Sequence, residues 1–258
     1  MLPYESPWMD DDLRTFRETV ARFLEAEMVP HDARWRAQHG VGKDIWRKAG
    51  DMGLLCLDLP AEYGCGGGDF RHEAVLYEEL ARRGLSGFGQ GVHSMCAHYV
   101  YNYGTEAQKQ RWLPRMARGE LIGAIAMTEP GAGSDLQGIK TTARKDGNHY
   151  VINGSKTYIT NGQNADLIIV VAKTDPEKGA KGTSLILVEA DREGFARGRN
   201  LDKIGQNSAD TSELFFNDVR VPMTNCLGEE NKGFIYLMSE LPQERLSIAV
   251  SAQASAQR

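Results

Sequence analysis

In the first half of the chain the apolar residues recur mostly every three or four positions, which is the period of an amphipathic α-helix. Between residues 10 and 29 they form one stripe, and most of the charged side chains lie on the opposite side. Thr105 is a suitable N-cap for a later segment of the same kind. The segments predicted to be helical are residues 10–29, 44–52, 72–82, 93–103 and a helix that begins after Thr105. Residues 1–120 are therefore predicted to form an N-terminal all-α domain.

From residue 121 onward the pattern changes to short segments that are mostly rich in β-branched and aromatic residues, separated by Gly and Asn. Asp146-Gly147 and Asn153-Gly154 lie between such segments, and dipeptides of this kind favour type I′ hairpin turns. Closely spaced strands joined by hairpins predict a middle antiparallel β-barrel or sandwich domain, which we assign to residues 121–231. The predicted strands are residues 121–128, 141–144, 150–152, 157–160, 167–173, 183–189 and 214–216.

A helical pattern returns around Gly233 and continues toward Arg258, with Pro242 inside it. Because proline lacks a backbone N–H and clashes with the preceding turn, we expect a helix to begin or kink at Pro242. Residues 232–258 are predicted to be the start of a C-terminal helical-bundle domain. The fold class is thus predicted as α+β and multidomain.

The composition limits the location and the partners of the chain. Its 258 residues carry a net charge of −5 with no basic block, so no nucleic acid is expected as a partner. The longest apolar runs, residues 121–127 and 167–172, fall short of the roughly 18 residues that a membrane span needs. Residues 1–12 contain no basic stretch followed by an apolar one, so a cytoplasmic location is expected. The cysteines have no paired spacing and are expected to be reduced thiols: Cys56, Cys65, Cys96 and Cys226.

Two features of the helical half are weak candidates for chemistry. Segment 63–69, Tyr-Gly-Cys-Gly-Gly-Gly-Asp, has the glycine density of a loop that needs positive φ. It is a poor phosphate loop, because no strand precedes it and no Lys-Ser/Thr follows. His93 and His98 are five residues apart, which on a helix turns them about 140° away from each other. An ordinary helix is therefore expected there, and no metal site.

Loop 127–134 and the residues around Glu244 are stronger candidates. The loop follows a predicted strand, and Gly131 and Gly133 would let backbone N–H groups approach a phosphate or a flavin edge. A tight β-turn is the alternative interpretation. Glu244 and Arg245 lie about 100° apart on a helix, so they could serve two parts of one ligand. The alternative there is a solvated charged pair at a helix start.

Several motifs resemble those of the acyl-CoA dehydrogenase family. Met127-Thr-Glu-Pro-Gly-Ala-Gly-Ser-Asp135 resembles its flavin-binding signature, and Leu241-Pro-Gln-Glu-Arg-Leu246 resembles the long-chain branch. The stretches 153–162, 213–222 and 227–233 resemble further recurring parts, so the resemblance covers nearly the whole chain. It implies three domains: a helical one, a β-barrel-like one and a helical bundle. Members of the family continue beyond this point through further helices that bind FAD.

The resemblance also implies roles for individual residues. Ser134 is expected to reach the CoA portion of the substrate as well as the flavin. Pro242, Gln243 and Arg245 are expected to contact acyl-CoA. Glu244 is expected to be the catalytic base, with apolar walls from Phe234 and Leu241. The residues expected along FAD are Ile125, Ala126, Met127, Thr128, Glu129, Pro130, Gly131, Ala132, Gly133, Ser134, Tyr158, Ile159 and Thr160.

The activity implied by the resemblance is FAD-dependent α,β-dehydrogenation of a long-chain acyl-CoA to a trans-2-enoyl-CoA. Electron-transferring flavoprotein is the expected electron acceptor, and a homo-oligomer is the expected assembly. Two alternatives stay open from the sequence. One is a non-catalytic remnant that binds acyl-CoA or a partner subunit, and the other is an acyl-CoA oxidase relative that passes electrons to oxygen.

Overall fold

The computed structural model describes residues 6–258, and its helices largely follow the predicted pattern. Thr105 caps its helix as predicted, because its hydroxyl accepts from the Gln108 N–H at 3.3 Å. The Gln108 side chain accepts in return from the Thr105 N–H at 2.9 Å. Only α2 was not predicted, since seven residues are too few to show the helical period. The helices are α1 (Asp11–Glu27), α2 (Asp32–Gln38), α3 (Lys43–Asp51), α4 (Phe70–Arg83), α5 (Gln90–Tyr103), α6 (Glu106–Ala117) and α7 (Gly233–Ala256).

The middle of the chain forms one eight-stranded sheet in the order β6-β7-β3-β2-β4-β5-β8, with β1 paired to β4. β1 and β2 run parallel to β4, whereas the other pairs are antiparallel, so the sheet is mixed rather than antiparallel throughout. The strands are β1 (Gly123–Ala126), β2 (Thr142–Asp146), β3 (His149–Thr160), β4 (Leu167–Lys173), β5 (Thr183–Glu189), β6 (Phe195–Asn200), β7 (Thr211–Pro222) and β8 (Cys226–Leu227).

One of the two predicted hairpin turns is confirmed and the other is wrong. Gly147 lies in the turn between β2 and β3, with φ +58°, and Asp146 pairs with His149 across it. The neighbouring Asn148 has no positive φ, which fits a type II′ turn rather than the predicted type I′. Gly154 instead lies inside β3, at a register shift against β7. Glycine is needed there because a Cβ would clash with the Thr141 side chain.

Strand β4 is buried on both faces and joins the helical and β parts of the molecule. Leu167, Ile169 and Val171 pack into a core shared with α5 and α6. Ile168 and Val170 face the opposite core, built from the other strands. The helices therefore lie directly on the sheet. The predicted boundaries at 120/121 and 231/232 fall in connections between elements and remain predictions.

Helix α7 runs through Pro242 and packs against α4 and α5, so the prediction of a helix beginning at Pro242 is wrong. Proline removes only one backbone donor, while contacts with α5 hold the helix on both sides of it. Before it, the Glu240 carboxylate accepts from Asn102 at 2.9 Å. After it, the Glu244 carboxylate accepts from the Tyr99 hydroxyl at 3.0 Å. No helix within residues 6–258 is long and apolar enough to cross a membrane.

Candidate functional site

Loop 127–134 leaves the end of β1 and turns back on itself. Glu129 and Ala132 exchange both backbone hydrogen bonds, at 2.9 and 3.1 Å, so Pro130 and Gly131 form a tight turn. A Cβ at Gly131 would meet no atom within 4 Å, and one at Gly133 would meet only the Thr128 methyl at 4.0 Å. Neither glycine has a positive φ. Nothing in the described fold requires glycine at 131 or 133, and the space beside both backbones is open to a ligand.

A buried ion pair, absent from the sequence interpretation, holds this loop. The Lys156 ammonium lies 2.9 Å from the Glu129 carboxylate and donates to the Met127 and Val171 carbonyls at 3.0 and 2.7 Å. The same carboxylate accepts from the Lys140 backbone N–H at 2.7 Å. Burial lowers the pKa of Lys156 to about 8, and the Glu129 charge opposes this. Burial raises the pKa of Glu129, but the Lys156 charge and the hydrogen bonds outweigh burial and lower it.

The triplet Tyr158, Ile159 and Thr160 lies beside the loop. The Thr157 N–H donates to the Thr128 carbonyl at 3.0 Å, at a second register shift in β3. This shift places Tyr158 at φ +59° with 68% of its side chain exposed. A left-handed conformation is unfavourable for an aromatic residue, and such strain is found most often at functional sites.

The predicted flavin contacts are not all available as side chains. The buried side chains are those of Ala126, Glu129, Ala132 and Ile159, which leaves their backbone groups as the parts that could contact a ligand. Ile125 and Met127 are partly buried against the core shared by the helices and the sheet. The exposed residues are Pro130, Gly131, Gly133, Ser134 and Tyr158, with Thr128 and Thr160 partly exposed.

Glu244 lies mid-helix and faces α5, so it is not part of a solvated pair at a helix start. Its carboxylate accepts from Tyr99 at 3.0 Å, and burial raises its pKa. It lines a crevice with Tyr77, Gly91 and Met95, whose cavity of about 20 Å³ has room for about one water molecule. The expected walls are wrong, because neither Phe234 nor Leu241 lines this crevice. Phe234 instead lies beside Ala180 and Lys181.

The residues that flank Glu244 point in different directions. Pro242 and Arg245 are exposed, whereas Gln243 turns inward and its amide nitrogen lies 3.2 Å from the Asp58 carboxylate. His98 donates to the same carboxylate at 3.1 Å and to the Ser94 carbonyl at 2.8 Å. Burial opposes protonation of His98, but the Asp58 hydrogen bond and charge raise its pKa to about 9.

His93, on the same helix, belongs to the core. Its Nδ1 accepts from the Gly123 N–H at 3.0 Å, while Nε2 lies 3.1 Å from the Met116 carbonyl. Burial lowers its pKa to about 4. His93 and His98 thus have separate partners, as the helical spacing predicts. Among residues 6–258, no group of three or more His, Cys, Asp or Glu could hold a metal ion.

The two candidate regions adjoin at the start of α5. Thr160 and Ile248 line an open groove of about 720 Å³ together with Gly91 and Val92. Gly91 also borders the crevice that contains Glu244. Thr160, at the end of the triplet, and the partly buried carboxylate of Glu244 therefore lie on neighbouring spaces. Such a pair of sites can bind a planar cofactor beside a substrate and accept a proton from the substrate.

Two family models match most of the chain. The acyl-CoA dehydrogenase N-terminal domain matches residues 10–120, and the acyl-CoA dehydrogenase middle domain matches residues 124–219. The mitochondrial long-chain specific acyl-CoA dehydrogenase of Sus scrofa is 50% identical over 245 residues. That alignment covers 94% of this chain and 57% of the pig protein. The chain thus spans little more than half the length of this relative.

Solved structures extend the likeness to the whole fold. An acyl-CoA dehydrogenase from Geobacillus kaustophilus is similar with a TM-score of 0.95 at 48% identity, over 98% of this chain and 67% of that one. A glutaryl-CoA dehydrogenase from Mycobacterium smegmatis, in complex with FADH2, gives a TM-score of 0.87 at 32% identity, over 95% and 62%. The matched domains, the identity and the shared fold together establish that this chain belongs to the acyl-CoA dehydrogenase family of oxidoreductases.

Proposed function

We propose that the chain carries the flavin and acyl contacts of an FAD-dependent acyl-CoA dehydrogenase that acts on long-chain substrates, with Glu244 as the catalytic base. The main support is the environment of the Glu244 carboxylate. Its carboxylate is partly buried, hydrogen-bonded at 3.0 Å to Tyr99, and has a raised pKa. The 50% identity to a long-chain specific relative supports the substrate class.

The residues of loop 127–134 fit a flavin. Gly131 and Gly133 leave open space beside backbone N–H groups, at positions where no positive φ or close neighbour requires glycine. Tyr158 offers an exposed aromatic ring next to the loop. Backbone donors and an aromatic face are the groups that a planar heterocycle needs. The related glutaryl-CoA dehydrogenase structure contains FADH2, which supports the same cofactor class here.

The chemistry assigned to this chain is proton abstraction. The α-C–H of an acyl thioester is weakly acidic, so its base must be basic near neutral pH and shielded from water. Partial burial raises the pKa of Glu244 and limits its contact with water, and the Tyr99 hydroxyl keeps its carboxylate oriented. FAD, when bound, would supply the acceptor for the hydride that leaves the β-carbon. Because the cavity beside Glu244 is only about 20 Å³, an acyl group enters only if the side chains around it move apart.

The remaining assignments follow from family membership. Ser134 is exposed and available to the CoA portion, and Arg245 is exposed beside Glu244. Electron-transferring flavoprotein is the proposed acceptor, and a homo-oligomer is the proposed assembly. Acyl-CoA dehydrogenation places the protein in fatty acid oxidation. The expected cytoplasmic location stays a prediction, and the pig relative is mitochondrial by name.

The test is Glu244→Gln in a protein completed with the C-terminal helices of a long-chain relative. Gln keeps the size and the hydrogen bonding of Glu but cannot take the proton, so flavin reduction by acyl-CoA should fall about 10²–10⁴-fold while ligand binding persists. Glu240→Gln is the matched control, since Glu240 lines the same crevice but bonds Asn102. Rapid anaerobic flavin bleaching in Glu244→Gln would assign the base elsewhere. Oxygen consumption on addition of acyl-CoA would instead indicate an oxidase. A colourless protein would indicate the non-catalytic remnant.

A further inference from the structure

Segment 63–69 folds tightly against residues 56–61 and does not form a ligand cradle. The N–H groups of Gly66, Gly67 and Gly68 donate to backbone carbonyls of that neighbouring stretch, at 3.0, 2.8 and 2.9 Å. A Cβ at Gly66 would lie 2.5 Å from the Leu57 carbonyl oxygen. Gly67 also has a φ of +70°. The glycine density is therefore explained by close backbone approach.

This close approach brings two thiols together. The Gly66 N–H donates to the Cys56 carbonyl at 3.0 Å, which sets Cys65 beside Cys56. Cys56 belongs to the core shared by the helices and the sheet, and Cys65 packs against the same core. Cys56 is fully buried and has a φ of +53°, which is strained for a residue with a side chain. Cys65 is partly exposed.

The surroundings shift the pKa values of the two thiols in opposite directions. The neighbouring Cys56 thiol lowers the pKa of Cys65, burial opposes this, and the positive charge of His98 lowers it further. His98 holds that charge through its 3.1 Å contact with Asp58. The neighbouring Cys65 thiol and burial both raise the pKa of Cys56. Redox-active cysteines combine these features: a low thiol pKa, some exposure and a second cysteine within reach.

We propose that Cys56 and Cys65 form a reversible disulfide when the protein meets a peroxide, with Cys65 attacking the oxidant and Cys56 resolving the product. The Cys65 thiolate attacks one peroxide oxygen, the O–O bond breaks, and the departing oxygen leaves as water after taking up a proton. The Cys56 sulfur then loses its proton and attacks the Cys65 sulfenic acid, releasing a second water. Two thiols are oxidised by two electrons, and hydrogen peroxide is reduced to two waters. This inference is independent of the proposed function.

Peptide mapping of the 258-residue chain tests the proposal directly. The protein is treated with hydrogen peroxide in native buffer, its free thiols are alkylated, and the digest is analysed by mass spectrometry before and after dithiothreitol. We expect one reducible cross-link between the Cys56 and Cys65 peptides. Cys226 is the internal control, because it is also partly exposed but burial raises its pKa to about 11. Cys65 should be oxidised at least about tenfold faster than Cys226.

Two variants separate the roles of the thiols. Cys56→Ser should accumulate a sulfenic acid at Cys65 that dimedone traps, and Cys65→Ser should leave Cys56 reduced. The cross-link test uses the wild-type chain alone. It therefore decides the proposal even if one of the variants fails to fold. Alkylatable Cys56 and Cys65 after peroxide treatment, or oxidation of Cys226 at the same rate as Cys65, would overturn it.

Discussion

Loop 127–134 and helix α7 contribute the two halves of the candidate site, and they are held in different ways. The loop is fixed by backbone pairing and by the buried Glu129–Lys156 ion pair. Helix α7 is fixed by its packing on α4 and α5 and by a few side-chain hydrogen bonds. Its exposed apolar residues are Ile235, Met238, Leu246 and Ile248. The loop is thus held entirely by residues of this chain, whereas α7 leaves exposed apolar side chains without a partner among residues 6–258.

Lys156→Met should have the largest effect, because it would leave the Glu129 carboxylate buried without its cation. Removing one partner of a buried pair costs about 3–5 kcal/mol in the free energy of unfolding. Lys145→Met is the matched control, since Lys145 is about half exposed and its pair with Glu230 at the surface contributes less than about 1 kcal/mol. Denaturant unfolding measures the free energy of unfolding of both variants.

The double variant Lys156→Met with Glu129→Gln sharpens this test. Gln removes the stranded charge and keeps one acceptor oxygen, which can serve either the Lys140 or the Thr141 N–H, since these donate to different oxygens of Glu129. Part of the lost stability should return. Equal stability of Lys156→Met and the wild type would contradict the role of the ion pair in holding the loop.

The network of His98 should make the α7 side of the site depend on pH. The folded pKa of His98 is about 9, above the usual 6.5, so its stabilisation is complete below pH 6.5 and is lost as the pH rises through 9. The full shift corresponds to about 3–4 kcal/mol. His98→Gln should flatten the stability curve between these limits. The difference between the two curves isolates the effect of His98 on stability. Lys156 has the opposite effect: its pKa in the folded state is lowered to about 8, so its contribution to stability rises as the pH increases above 8.

Gly133→Val should weaken FAD binding by at least about tenfold, the loss expected for one blocked backbone hydrogen bond. Helix content should not change, because a side chain at 133 meets little protein. Gly205→Val is the control, since Gly205 also has open surroundings and no positive φ. Isothermal titration with FAD compares the two. Unchanged FAD affinity in a soluble Gly133→Val protein would remove loop 127–134 from the cofactor site.

The smallest change in folding stability is expected for Leu246→Glu on the outward face of α7. Leu246 is 50% exposed, so the free energy of unfolding should change by no more than about 0.5 kcal/mol. Exposed apolar patches promote association, so self-association of the chain should fall. We expect residues 234–258 to be either mobile or covered by another copy. A monomer with strong hydrogen-exchange protection throughout this segment would argue against both.

The predictions from sequence succeeded where the signal was local. The helical period located α1 and α3–α6, and Thr105 and Gly147 were correctly assigned to a cap and a hairpin turn. They failed where a long-range contact overrides local preference. Gly154 looks like a turn residue but is a bulge beside Thr141, and Pro242 looks like a helix start but lies within α7.

The sequence by itself determined the family, the three-part order and the segments that carry the proposed site, because these depend on short motifs and on residue periodicity. Only the tertiary structure decided which side chains meet. Lys156 reaches Glu129 from another strand, Tyr99 reaches Glu244 from another helix, and Cys65 meets Cys56 through a backbone contact. No spacing along the chain encodes such contacts, since each arises from packing of distant segments that bury apolar surface together. The pKa shifts of Lys156 and Glu244 arise from that burial, so they too depend on the folded structure.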